Sequence, residues 1–253
     1  MYVAKMMNKI TLSVCIAFAL LSNPVFADEH LHWGYSGRDG PANWGALGEE
    51  FATCKTGRLQ APIDIPLGLA IQNDFPIKPH YKSSSGEIVN NGHTIQVVLA
   101  DGGSVNLLGQ DYAIAQFHFH TPAEERVSGK RYPLNAHLVH KSTDGTIAVI
   151  GIFFKVGAEN AVLKNIFLTM PPKEESIPLT EKFDIGSMLP RSLPYYKYAG
   201  SLTTPPCSEG VSFYILAIPL EISQAQLNAF QKIFPLNARP IKPVNGRMIV
   251  YSR

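Results

Sequence analysis

Apolar residues along this chain fall in short runs separated by glycine, proline and polar turns, with few stripes of helical period. Runs of five to ten residues with alternating or continuous apolar character predict strands over residues 94–99, 113–120, 135–140, 146–155 and 211–218. Two segments read as helices. Residues 158–169 place Val162, Ile166 and Phe167 on one face and stop before Pro171-Pro172. Ser223 is a natural N-cap, with Gln226 completing a capping box, Leu227, Phe230 and Phe234 forming the apolar face, and Pro235 ending the helix. The 20 glycines and 19 prolines lie between the apolar runs, as a turn-rich strand protein requires. No repeat and no Pro/Ser-rich linker divides the chain, so the pattern predicts one domain dominated by β-structure.

The first 27 residues do not fit that domain. Lys5 and Lys9 give a basic start, Ile10 to Leu21 an apolar run, and Val25-Phe26-Ala27 a small-residue cleavage site, which together read as a secretory signal peptide. The apolar run is shorter than the roughly 20 residues a spanning helix needs. Residues 28–253 then form the mature domain, soluble and periplasmic or secreted. Cleavage removes two of the 22 basic residues and none of the 20 acidic ones, leaving a formally neutral chain. With no block of like charge, a nucleic-acid partner or insertion into a membrane is not expected. At 45% hydrophobic and 17% charged residues, the chain can fill a core.

Cys15 leaves with the signal, so Cys54 and Cys207 are the thiols of the mature chain. Two cysteines in an oxidising compartment suggest a disulfide, with two buried free thiols as the alternative.

The chemistry is concentrated in the histidines. In Gln116-Phe117-His118-Phe119-His120, a strand would turn both histidines to one face and both phenylalanines to the other. Ser128-Gly129-Lys130 marks a turn that returns the chain, bringing His137 alongside. Three neutral imidazoles around a tetrahedral ion leave one position for water, the layout of a catalytic zinc site. An HxH pair by itself is also common as plain strand packing. His140 faces opposite to His137, and it, His30, His32 and His80 receive no metal role.

A second cluster narrows the reading. Gly200-Ser201-Leu202-Thr203-Thr204-Pro205-Pro206-Cys207 joins Trp33-Gly34-Tyr35, Gln60-Ala61-Pro62-Ile63-Asp64-Ile65, Asn90-Asn91-Gly92-His93 and the histidine strands. In that order, running on to Asn237-Ala238-Arg239-Pro240, they resemble the α-class carbonic anhydrases, in particular exported bacterial members. The resemblance implies a mainly β (α+β) single domain on a large, twisted, mostly antiparallel central sheet with short peripheral helices. It implies Zn2+ on His118, His120 and His137, reversible hydration of CO2 to bicarbonate and a proton by zinc-bound hydroxide, side esterase activity, and inhibition by sulfonamides and anions. Thr203 would orient the hydroxide and Glu124 would orient Thr203. Gln116 and Asn135 would hold metal histidines, and Val139, Val149, Leu202, Val211, Phe213 and Thr204 would line the substrate pocket. His93 would shuttle protons, with Tyr35 and Asn91 ordering the intervening water. A cis bond between Pro205 and Pro206 is implied as well. A homodimer and a monomer both remain open.

Two positions depart from the family pattern. Asn135 stands where a glutamate normally precedes the third histidine by two, and Glu125 follows Glu124 where a neutral polar residue is usual. Two other readings compete. His118-Phe119-His120, three residues and Glu124 also fit a cupin-type metal protein with His137 as a later ligand and Glu124 on the metal, and iron or manganese would then be favoured. A non-catalytic binding protein on the anhydrase scaffold is the other, although such proteins lose metal histidines and this chain keeps all three.

Overall fold

Extended backbone dominates the computed structural model, which describes residues 31–253. The expected signal peptide lies outside the described residues. His32–Arg253 forms one compact unit, and no described helix is long and apolar enough to cross a membrane.

Ten strands form the spine of a mixed 13-stranded sheet. In chain order they are β1 (Ala70–Asn73), β2 (Gly86–Asn90), β3 (Ile95–Leu99), β4 (Gln110–His120), β5 (Leu134–Lys141), β6 (Ile147–Val156), β7 (Glu175–Pro178), β8 (Tyr195–Ser201), β9 (Glu209–Leu216) and β10 (Ile249–Ser252). Their spatial order is β7-β2-β3-β4-β5-β6-β9-β8-β10-β1. Antiparallel pairing runs from β7 through to β6, and parallel pairing joins β6 to β9 and β10 to β1. The five strands expected from the pattern are present with shifted ends. The last ends at Leu216 because the next partner on β8's side is Pro194, which accepts the Ala217 N–H but has no N–H to return. The pattern missed β8, whose tyrosines Tyr195 and Tyr198 are buried although Lys197 and Gly200 interrupt its apolar character.

The two sheet faces carry separate apolar clusters. Phe117, Phe119, Ala136, Leu138, Ile150 and Ile152 belong to the larger one. At roughly 25 cal/mol per Å² of apolar surface removed from water, such burial is the main stabilising term. The second cluster, with Val149, Val211 and Phe213, lies on the histidine side.

The helices are short. Gln224–Ile233 (α2) has the expected capping box between Ser223 and Gln226, with Leu227 and Phe230 buried. The earlier helix, α1, covers only Lys164–Thr169, with Leu163, Ile166 and Phe167 buried and Val162 exposed. Its expected start at residue 158 fails because that stretch is tied elsewhere. The Gly157 N–H bonds Ile222 O, while the Asn160 side chain binds Glu221 O and accepts the Leu163 N–H. Cis peptides precede Pro62, Pro122 and Pro206.

Candidate metal centre

Strand register builds the centre. On β4, Phe117 and Phe119 enter the large core, and His118 and His120 project from the other face. On β5, His137 pairs directly with His118, and Asn135 with His120. Opposite His137 on β6 is Gly151, where a Cβ would come within 2.5 Å of Ile215. The three imidazole centroids lie 4.8 to 5.6 Å apart. One nitrogen of each ring falls within 4.8 Å of the other two.

Each ring is fixed by its outer nitrogen. His118 Nδ1 is 2.8 Å from Gln116 Oε1, and His120 Nδ1 is 2.8 Å from the Asn237 carbonyl. His137 Nε2 is 3.1 Å from Glu125 Oε2. An outer N–H donated to an acceptor fixes the tautomer, leaving the other nitrogen as a lone-pair donor. The inner nitrogens are then Nε2 of His118 and His120 and Nδ1 of His137. His120 Nε2 is buried without a hydrogen-bond partner, an orphan that a cation would satisfy. Three neutral nitrogen donors in a buried cluster fit zinc.

Burial, then His137, lower the pKa of His118 to about 3, and burial with its two histidine neighbours holds His120 well below its ordinary value. His137 differs. Burial pushes its pKa down, but Glu125 and Glu124 push it up further, and the net direction is upward.

Glu124 is fully buried, and its Oε1 accepts the Arg239 backbone N–H at 2.9 Å. Oε2 lies 3.4 Å from His120 Nε2 and 3.8 Å from His137 Nδ1, with no hydrogen-bond partner. Burial raises the carboxyl pKa to about 7, against the opposing pull of His137, the Arg239 N–H and the Thr203 hydroxyl. The candidate metal group among the described residues is His118, His120 and His137, with Glu124 Oε2 beside two of its inner nitrogens.

Thr203 is buried on the loop after β8. Leu202 N–H bonds Ser208 O, and Cys207 N–H bonds Thr204 O, closing that loop on itself. Three links tie it to the N-terminal segment: the Cys54–Cys207 disulfide, Ala61 N–H to Ser201 Oγ at 2.9 Å, and Gln60 Nε2 to Cys207 O at 3.0 Å. Val149, Val211 and Phe213 are buried in one cluster, against which Val139 and Leu202 pack. The Phe213 ring stacks on Tyr198 and meets His137 edge-on at 5.9 Å.

The turn 90–93 joins β2 to β3, with Gly92 at φ +81°, a conformation that favours glycine. Asn91 Oδ1 caps this turn by accepting the N–H groups of His93 and Thr94. The His93 ring stacks on Trp33 with centroids 3.7 Å apart, and Trp33 meets Tyr35 edge-on. Burial and His32 lower the His93 pKa, with Glu174 opposing them. Tyr35 has its pKa raised by burial and then by Glu124. His140 is fully buried on the opposite face, 2.7 Å from the Tyr81 hydroxyl, so it is a packed histidine.

Three residues of the site have no histidine-like signature in sequence. Asn237 gives its carbonyl to His120, accepts the Thr121 N–H on Oδ1, and donates from Nδ2 to His93 O and Phe119 O. Arg239, fully buried, donates to Ala61 O, Cys54 O and Gln60 Oε1. Tyr198 donates to Glu125 Oε1 at 3.2 Å. The stretch Asn237-Ala238-Arg239-Pro240 was the available signal for the first two.

The sequence model of the eukaryotic-type carbonic anhydrase family matches residues 39–253. A carbonic anhydrase of Pectobacterium atrosepticum is 40% identical over 227 residues, 89% of this chain and 93% of that protein. One from Pectobacterium carotovorum is 39% identical over 98% of this chain and 99% of its own length. The α-carbonic anhydrase of Thermovibrio ammonificans, solved with the inhibitor sulfanilamide, superposes with a TM-score of 0.85 at 44% identity. It covers 87% of this chain and 99% of its own.

Proposed function

Because this chain belongs to the eukaryotic-type (α-class) carbonic anhydrase family, we propose that it catalyses reversible CO2 hydration with zinc on His118, His120 and His137. The observation that carries this reading is the division of labour within each imidazole, an outer nitrogen tied to its own acceptor and an inner one turned to a shared point. Zinc held by three neutral imidazoles lowers the pKa of a water ligand to about 7 and so supplies the nucleophile for CO2 near neutral pH.

The chain's own residues do the rest. Thr203 orients the nucleophile through its hydroxyl, and Glu124 accepts the Thr203 hydroxyl hydrogen. In its ionised form Glu124 can only accept, which sets the direction of that pair. The support is the position of Glu124, whose Oε1 is already occupied by the Arg239 N–H while Oε2 has no partner. Val139, Val149, Leu202 and Val211 offer apolar CO2 a dry wall, with Phe213 behind them and Thr204 at the loop. Gln116 holds the His118 tautomer. Sulfonamides and small anions would compete at the same point, and activated esters would be slow side substrates. Residues 1–27 are assigned as the signal peptide of a periplasmic or secreted protein with its working domain in 28–253, in keeping with the disulfide. Stopped-flow CO2 hydration on protein of measured zinc content, with and without an aryl sulfonamide, tests the whole reading. One bound zinc and no hydration would return it to a binding protein.

His93 is assigned to proton export, with Tyr35 and Asn91 near its path. In its neutral form it accepts a proton, so turnover should rise as pH passes upward through the His93 pKa. That limb should lie below the ordinary histidine range, since burial and His32 lower the pKa. His93→Ala should reduce kcat about tenfold or more in dilute buffer, within the range for general acid–base groups. Added imidazole should restore part of the loss, and kcat/KM should barely change. An equal fall in both parameters would show that His93 is structural.

A further inference from the structure

We propose that Glu125 is the carboxylate that positions His137 in this chain, and that Asn135 is the clamp that holds Glu125 in place. The inference rests on the reading of the three histidines as a metal centre and concerns how the third is held.

Glu125 and Asn135 are both fully buried. Three donors converge on the Glu125 carboxylate. Tyr198 Oη reaches Oε1 at 3.2 Å, while Asn135 Nδ2 at 3.0 Å and His137 Nε2 at 3.1 Å share Oε2. The direction of the Asn135 amide follows from its other end. Its Oδ1 accepts the Glu124 backbone N–H at 3.3 Å, and a flipped amide would set an NH2 against that N–H. Asn135 therefore turns donors, not its acceptor, toward His137.

Asn135 Nδ2 and His137 Nε2 are only 2.9 Å apart. If Nε2 were an acceptor there, the ring proton would sit on Nδ1. Its nearest carboxylate oxygen is then Glu124 Oε2 at 3.8 Å, beyond hydrogen-bond range. A proton on Nε2 instead has Glu125 at 3.1 Å and leaves Nδ1 as the lone pair facing the site. The short contact is two donors sharing one oxygen. Positions 125 and 135 thus hold one carboxylate and one amide between them, with the carboxylate on the opposite position from the family pattern.

The consequence is an interaction between the two positions that changes sign. Glu125→Gln should release zinc to a strong chelator about 10–100-fold faster, the usual cost of losing such a partner. Asn135→Glu alone should also speed release, because it puts a second buried carboxylate beside Glu125. The double variant Glu125→Asn/Asn135→Glu should return to within about threefold of the wild-type rate, one carboxylate again facing His137. An unchanged rate in folded Glu125→Gln, or a double variant no better than the worse single, would overturn the proposal.

A metal-free readout separates this from the metal reading itself. In zinc-stripped wild type, long-range 1H–15N NMR should show a downfield Nε2 proton on His137 that moves upfield in Glu125→Gln. A shift with no zinc ever bound would sink the metal reading and keep the pairing. No shift would sink the pairing whatever the metal does.

Discussion

Purified His118→Ala should contain little or no zinc and should have lost hydration activity on the order of a thousandfold or more, since the nucleophile at neutral pH depends on the ion. The three rings act as one chelate. Each contributes a nitrogen already aimed by its ring's own acceptor: Gln116 on the same strand for His118, the carbonyl of Asn237 for His120, and Glu125 for His137. Removing one ring leaves two donors and more room for water, which weakens retention of zinc along with its catalytic geometry. The fold should survive, because His118 is only partly buried and its neighbours Phe117 and Phe119 hold β4 in the core from the other face. His140→Ala is the control. His140 is also buried on β5 but bonds Tyr81, so its loss should affect stability and leave one zinc per chain. Full activity in zinc-depleted His118→Ala, or iron or manganese in the active wild type, would refute the assignment.

The parts of this site legible in sequence are those with a strict period. Alternation on β4 put His118 and His120 on one face with no further information, and the turn at 128–130 was enough to bring His137 back. The helix at Ser223 was legible because its cap, apolar face and terminator are all local. What sequence left open depends on pairing between distant segments. The route of the third histidine's N–H is set by which of two neighbouring buried residues reaches it, and only the packing of Asn135 against the Glu124 backbone decides that. Residues 158–163 read as helix because nothing local shows that Asn160 and Gly157 are bound to the strand before α2. β8 escaped because its tyrosines are buried by neighbours on β9 and β10, not by a pattern of their own. Arg239, quoted in sequence only as part of the Asn237–Pro240 stretch, is the hub that joins Cys54, Gln60, Ala61 and Glu124.

That hub frames the second large effect. Cys54→Ser/Cys207→Ser is expected to lower stability by up to about 5 kcal/mol, the chain-entropy figure for a very long closed loop, which here has a sequence separation of 153. The figure is an upper one because engineered and natural bridges often deliver less than loop entropy alone. The loss should not be confined to the unfolded state. Cys207 closes the loop that carries Thr203, and the bridge, Gln60 and Ser201 are its ties to the N-terminal segment. With the bridge gone, two hydrogen-bonded ties remain, so Thr203 should stay near its place at low temperature and become mobile well before global unfolding. Denaturant unfolding of the double serine variant should show the fall in midpoint. Hydration activity measured below that midpoint should drop more steeply with temperature than in wild type, while zinc content holds, since the three histidines sit on β4 and β5 and not on the loop that carries Thr203. Zinc lost in step with activity would place the bridge's effect on the metal centre rather than on the Thr203 loop. Unchanged stability after reduction would show that the ties through Gln60, Ser201 and Arg239 suffice without it.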